Sequence, residues 1–249
     1  MKYKAIFLDV DGTTVRHGID NLPSPRVTQA VTAAMERGVV VGLATSRPPR
    51  SVIRVIEHLQ LNGHSVLSSG SEIYDPKKKE VVIRKAFPIT AIPHILNAAN
   101  RHHASVRIYD GKEEFVYTGG AVPEQVLGMY FPEVTPATLQ DLSKELSTVE
   151  GISLHRMEAW NNGFECLDIV RSDTSKLHGV VEVLRLSGIP VSEVIGIGDG
   201  YNDFPLLLAC GLKIAMGNAV PELKAIADFV APSVDEDGVA MVIEKFLLS

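Results

Sequence analysis

Four short stretches of this 249-residue chain carry residue types that phosphate chemistry uses. Asp9-Val10-Asp11-Gly12-Thr13 follows one apolar run and Thr45-Ser46-Arg47 follows a second. Lys176 opens a helical stretch, and Asp199-Gly200-Tyr201-Asn202-Asp203 follows a third apolar run. Four carboxylates gathered in one crevice repel each other and raise one another's pKa unless a cation joins them. Hard oxygen ligands suit Mg2+, which commonly takes one or two protein carboxylates together with water and substrate phosphate oxygens. A lysine and a hydroxyl supply positive charge and hydrogen bonds for a phosphoryl group. One carboxylate can then attack phosphorus, and another two residues on can serve as general acid and base.

The convergence depends on the elements around these stretches. AIFLDV (5–10), VVVGLA (39–44), VLSS (66–69) and VIGIG (194–198) are near-continuous apolar runs, as expected of strands buried on both faces. Between them, Ser24-Pro25 reads as an N-cap with proline at the first helical position, and Gly38 closes that helix. Pro48-Pro49 opens another helix. Strands alternating with helices through short connections predict a parallel sheet covered by helices, whose strand carboxyl ends share one edge where ligands bind.

The alternation breaks near residue 72. EIYDPKKKEVVIRKAF reads as a hairpin, and the segment beyond it has its own mixture: helices near 89–102 and 136–148, a strand pair at SVRIYD and EFVYTG, and strands at SLHRME and FECLDIV. After Thr174 the buried alternation resumes, with helices near 175–187, 202–210 and 221–227. The expected fold class is α/β. A doubly wound, Rossmann-like parallel-sheet core spans 1–85 and 173–249, and a smaller α/β cap domain is inserted at 86–172.

DVDGT after the first strand, Thr45 after the second, an isolated Lys176 and GDGYND before a helix resemble, in order and over the whole chain, the four motifs of the haloacid dehalogenase superfamily. The tail MGNAVPELKAIADFVAPSVDEDGVA resembles its Cof-type phosphatases, a IIB subfamily whose cap lies between the second and third motifs. The resemblance implies Asp9 as nucleophile and Mg2+ ligand. It implies Asp11 as general acid and base, with its carbonyl on the metal, and Asp199 and Asp203 as metal ligands, Asp203 directly or through water. Thr45 would bind the phosphoryl oxygens with the backbone N–H groups of Val10 and Ser46. Lys176 would neutralise charge, Asn202 would contact phosphate, and Arg47 is a substrate candidate. Ser46 stands where many relatives have glycine.

The implied activity is Mg2+-dependent hydrolysis of a small phosphorylated metabolite, a sugar phosphate or phosphoglycolate-like acid, through an aspartyl-phosphate, with the cap selecting the leaving group. A phosphosugar mutase and a phospho-ligand-binding regulator are the alternatives. A net charge of -6 argues against a nucleic-acid partner, and the N-terminus lacks a signal peptide's apolar region, so a cytoplasmic protein is expected. No run of about 20 apolar residues spans a membrane. Cys166 and Cys210 sit in apolar runs as core thiols. Trp160, with Arg107, Arg156, Asn161 and Asn162, forms either a substrate surface or packing in the cap.

Overall fold

A computed structural model describes residues 2–18, 21–159, 161 and 163–249. Trp160 and Asn162 lie outside the described residues. The chain divides into two compact units, Met1–Ile83 with Lys176–Ser249, and Arg84–Ser175.

The chain begins with β1 (Ala5–Leu8), α1 (Pro25–Glu36), β2 (Val40–Leu43), α2 (Pro49–His58), β3 (Ser65–Leu67), β4 (Glu72–Asp75) and β5 (Glu80–Arg84). Every residue of β1 is buried, which is why it reads as an unbroken apolar run. The Ser24 hydroxyl accepts from Val27 N at 3.1 Å and caps α1, satisfying one of the orphan amides of its first turn. At the other end, Gly38 takes a φ of +85° that ends the helix.

The second unit contains α3 (Ile92–Arg101), β6 (Arg107–Tyr109), β7 (Glu114–Val116), β8 (Gly128–Val134), α4 (Pro136–Leu146), β9 (Ile152–Glu158) and β10 (Glu165–Arg171). Its sheet has the order β7-β6-β8-β10-β9 and is antiparallel wherever the pairing of β6, β8, β9 and β10 is resolved. Ile95 and Leu142 of the helices pack with Ile108, Phe131, Leu167 and Ile169 of the sheet. Strand β8 has no counterpart among the sequence expectations. Gly128 at its start and Pro132 within it argue against a strand, because proline cannot donate to a ladder. The structure accommodates Pro132 by shifting the register between Glu165 and Leu167 of β10, so β8 lies inside the sheet.

The chain then returns through α5 (Lys176–Ser187), β11 (Val194–Gly198), α6 (Phe204–Leu208), β12 (Leu212–Ala215), α7 (Pro221–Ile226), β13 (Phe229–Val230) and α8 (Gly238–Ile243). The first unit's main sheet is fully parallel, in the order β13-β12-β11-β1-β2. Helix α1 packs against α8, and α5 packs against α6 and β3. Cys210 is buried in this unit and Cys166 in the other, and burial raises the pKa of both thiols. No helix among the described residues is long and apolar enough to cross a membrane.

One expected strand is corrected. The run at 66–69 stops at Leu67, and β3 pairs antiparallel with β4, meeting the parallel sheet through an isolated bridge between Ala44 and Val66. Ser68 and Ser69 then turn with φ of +50° and +53°, the left-handed region, which no apolar pattern announces. The helix expected at 202–210 is likewise shorter, a 3-10 turn at Tyr201–Asp203 leading into α6.

Helix α5 carries Lys176 on its first turn, and its approach to β3 depends on Gly179, where a Cβ would lie 2.2 Å from Val66 Cγ1. Alanine gains about 1 kcal/mol of helix propensity over glycine, whereas overpacking costs typically about 1–3 kcal/mol. Gly179→Ala is therefore expected to lower the urea midpoint of unfolding, and a raised midpoint would show that the contact yields freely.

Candidate active site

From β1 the chain moves to β2 on one side of the sheet and later to β11, β12 and β13 on the other. The strand order reverses between β1 and β11, and in open α/β sheets ligands bind outside the carboxyl ends of strands at such a point. Asp9 directly follows β1 and Asp199 directly follows β11. Their strands are register partners to the end, Leu8 beside Ile197, and Asp9 N donates to Ile197 O at 2.9 Å.

Lys176 is 2% exposed, and its ammonium donates to Asp9 Oδ1 and to Asp203 Oδ1, each at 2.5 Å. The other oxygen of Asp203 accepts the backbone N–H groups of Asp199 and Gly200, both at 2.9 Å. Asp199 Oδ1 accepts from the Thr13 hydroxyl at 2.8 Å, and its Oδ2 from Asn218 Nδ2 at 3.3 Å. No described residue donates to Asp9 Oδ2. Carboxylate oxygens of Asp9, Asp199 and Asp203 all lie within 4.8 Å of one another, and all three residues are buried.

The electrostatics follow from one ammonium serving three carboxylates. Burial, then the charge of Asp203, pushes the Asp9 carboxyl up to about 7 against the pull of Lys176. Burial, then Asp9 and Asp203, pushes Asp199 up to about 9. Burial alone would lower Lys176, but the carboxylates of Asp203 and Asp9 outweigh it and hold the ammonium above its ordinary range. Lys176 is a firm cation while Asp9 and Asp199 resist ionisation. Three carboxylates against one ammonium leave a formal excess of two negative charges, which one divalent cation cancels. An all-oxygen, compact cluster with excess negative charge fits Mg2+.

The remaining residues form two groups. Arg47 grips Asp11 with both arms of its guanidinium, Nε to Oδ2 at 2.7 Å and Nη2 to Oδ1 at 2.5 Å, and Nη2 also donates to Gly18 O. The sequence left the reach of Arg47 open, and the structure directs it to the second aspartate of DVDGT. Ser46 Oγ accepts from Asn202 Nδ2 at 3.1 Å and from Ser69 Oγ at 2.9 Å. The amide of Asn202, expected on phosphate, is thus engaged by Ser46. Thr45 is buried, and its hydroxyl accepts Arg47 N at 3.1 Å. The carbonyl of Val10 accepts from the amides of Thr13, Thr14 and Val15, closing the loop after β1 into a tight turn.

Three participants carried no assigned role from sequence. Thr13 and Asn218 lie within stretches already singled out, DVDGT and MGNAVPEL, so a signal existed without a partner to give it meaning. Ser69 had no signal. It reaches Ser46 because Ser68 N bonds Arg47 O and Ser69 N bonds Thr45 O, at 3.0 and 3.1 Å, and these bonds hold the left-handed pair against the loop. The hydroxyl of Ser68 donates to the fully buried Glu72. In the second unit Arg107 and Tyr130 both bond Glu114 Oε1, Arg156 pairs with Glu165, and Asn161 donates to Glu133.

The profile of the haloacid dehalogenase-like hydrolases matches residues 6–149 and 132–243. The chain belongs to that family. Within it the motifs are those of the Cof type, and the chain is a phosphatase of the haloacid dehalogenase class. It is 25% identical to the 5-amino-6-(5-phospho-D-ribitylamino)uracil phosphatase YcsE of Bacillus subtilis, covering 98% of this chain and 96% of that one. It is 24% identical to the pyridoxal phosphate phosphatase YbhA of Escherichia coli, covering all of both chains. A solved structure described as the HAD subclass IIB sugar phosphatase BT4131 shares the fold, with a TM-score of 0.81 and 22% identity over 98% of each chain.

The raised pKa of Asp199 has a sign. The folded protein holds that proton up to about 9 whereas the unfolded chain releases it near 3.8, so the contribution to stability is full below about 4 and lost as pH rises toward 9. Without divalent metal, Asp199→Asn is expected to gain stability relative to wild type as pH increases across that window. A pH-independent difference in thermal midpoint would show that Asp199 titrates normally.

Proposed function

We propose that this phosphatase hydrolyses a small phosphorylated metabolite in two steps, with Asp9 as the group that carries the phosphoryl between them and Mg2+ as cofactor. The observation that supports it most directly is the Lys176 bridge. It fixes Asp9 through one oxygen, and no described residue donates to the other, as a nucleophile requires. Asp9 and Asp199, with Asp203 behind them, would hold the metal, and the carbonyl of Asp11 remains a candidate ligand. When bound, Mg2+ would offset the charge of the phosphoryl oxygens and of the carboxylates around it.

In the first half, an Asp9 oxygen attacks phosphorus and the bond from phosphorus to the leaving oxygen breaks. Protonated Asp11 gives its proton to that oxygen. In the second, Asp11 takes a proton from water as the water attacks phosphorus, and the bond to Asp9 breaks, releasing inorganic phosphate and restoring both carboxyl groups. Thr45, the amides of Val10 and Ser46, and Lys176 are the proposed phosphoryl donors. Asp11 is held by Arg47, so the acid role requires Asp11 to leave that grip once substrate is present.

The substrate class is a sugar phosphate or a comparable small organic phosphate. The named relatives support small phosphorylated metabolites in general, since their substrates differ from each other.

The test is phosphate release from a panel of small phosphate esters, with Mg2+ and with chelator. Wild type is expected to turn over only with Mg2+, and Asp9→Asn to fall to background with its fold intact. Normal turnover by purified Asp9→Asn would overturn the reading. General acid help is worth about 10²–10⁴, and it matters most for a poor leaving group. Asp11→Asn should therefore lose that factor on alkyl phosphates and far less on an aryl phosphate. Equal losses on both would remove Asp11 from the proton transfer.

A further inference from the structure

Asn218 lies in the loop after β12 and makes three hydrogen bonds to three separate parts of the chain. Its Nδ2 donates to Gly12 O at 2.9 Å and to Asp199 Oδ2 at 3.3 Å. Its Oδ1 accepts from Val234 N at 2.9 Å. Both polar atoms of its side chain are engaged by the protein, and Nδ2 falls on a carboxylate of the acidic cluster.

The two aspartates of the β11 loop are held in different ways. Asp203 has one oxygen on the Lys176 ammonium and the other on two backbone amides, so its charge is largely answered by the protein. Asp199 meets two neutral donors, the Thr13 hydroxyl on Oδ1 and the Asn218 amide on Oδ2. Neutral donors orient a carboxylate without cancelling its charge. Gly12 closes the same corner, since with a φ of +76° it passes so near that a Cβ there would lie 2.2 Å from Asp199 Oδ2.

We infer that Asn218 is a positioning residue for the metal site: with Thr13 it fixes the plane of the Asp199 carboxylate so that its charge faces a divalent cation. This rests on the metal reading above. Partners of this kind orient metal ligands, and their loss typically costs about 10–100-fold in affinity.

A competing role is anchorage of the C-terminal segment, because Asn218 also holds Val234, and Arg16 pairs with Asp235 beside it at 2.6 Å. The two roles separate by substitution. Val234 is the first residue of a 3-10 turn, and Ser233 before it has an extended backbone at φ -68° and ψ 169°. Proline is tolerated at a first helical position after an extended residue. Val234→Pro therefore deletes the donor to Asn218 Oδ1 while the carbonyl of residue 234 can still close the 3-10 turn.

Mg2+ binding to the full-length protein would be measured by calorimetry, without substrate. Asn218→Ala is expected to raise the Kd about 10–100-fold, with Val234→Pro close to wild type. Should Asn218→Ala not fold, Asn218→Leu keeps the branched shape of the side chain without its polar atoms and carries the same expectation. Wild-type affinity in the folded Asn218 variant overturns the inference while leaving the metal site standing. So does an equal loss in Val234→Pro, which would reassign Asn218 to anchorage. If wild type takes up no Mg2+, the metal reading and this inference fall together.

Discussion

A lysine ammonium buried between two aspartates is the constraint on which the rest of the site depends. Lys176 cannot sit at 2% exposure as an isolated cation, because removing a charge from water costs several kcal/mol after relaxation. Asp9 and Asp203 answer it at 2.5 Å, and removing either would leave a buried charge short of a partner. Lys176 comes from α5, Asp9 from the end of β1 and Asp203 from the turn after β11. One ammonium therefore fastens the two halves of the first unit, which are separated in sequence by the whole inserted segment.

The bridge is incomplete as an electrostatic solution. Among the described residues Asp199 bonds neutral donors alone, and burial with like charge raises its pKa to about 9. The protein spends its neutral donors there, Thr13 and Asn218, and its backbone amides on Asp203. A cluster arranged purely for stability would satisfy Asp199 with an arginine, as Asp11 is satisfied by Arg47. The two aspartates differ in kind: Asp199 is met by neutral donors, and Asp11 by a charged side chain.

The loop around Ser46 is held by the turn that follows β3. Left-handed backbone at a non-glycine residue costs of order 1–3 kcal/mol, and Ser68 and Ser69 both adopt it. Bonds to Arg47 O, Thr45 O and Glu72 hold the turn in place. The result is a hydroxyl on Ser46 that receives two donors and ties the loop after β2 to Asn202 of the loop after β11. All four motifs are thereby connected through hydrogen bonds within a single unit of the chain.

The sequence by itself determined the parallel core and the carboxyl-end placement of Asp9, Thr45 and Asp199, because buried strands read as apolar runs and the residue after each run inherits the strand's edge. It also determined the family, because four motifs in order leave few other readings. It did not reveal β8, since Pro132 breaks the local rule and only the register shift in β10 makes room for it. It did not reveal the partner of Arg47, the turn at Ser68–Ser69 or the place of Asn218. Each of these is a contact between residues that sequence separates by as many as 206 positions, as Asn218 and Gly12 are. Local propensity fixes which residues end a strand; only the tertiary structure decides which of the polar groups it gathers there neutralise each other and which are left to meet a ligand.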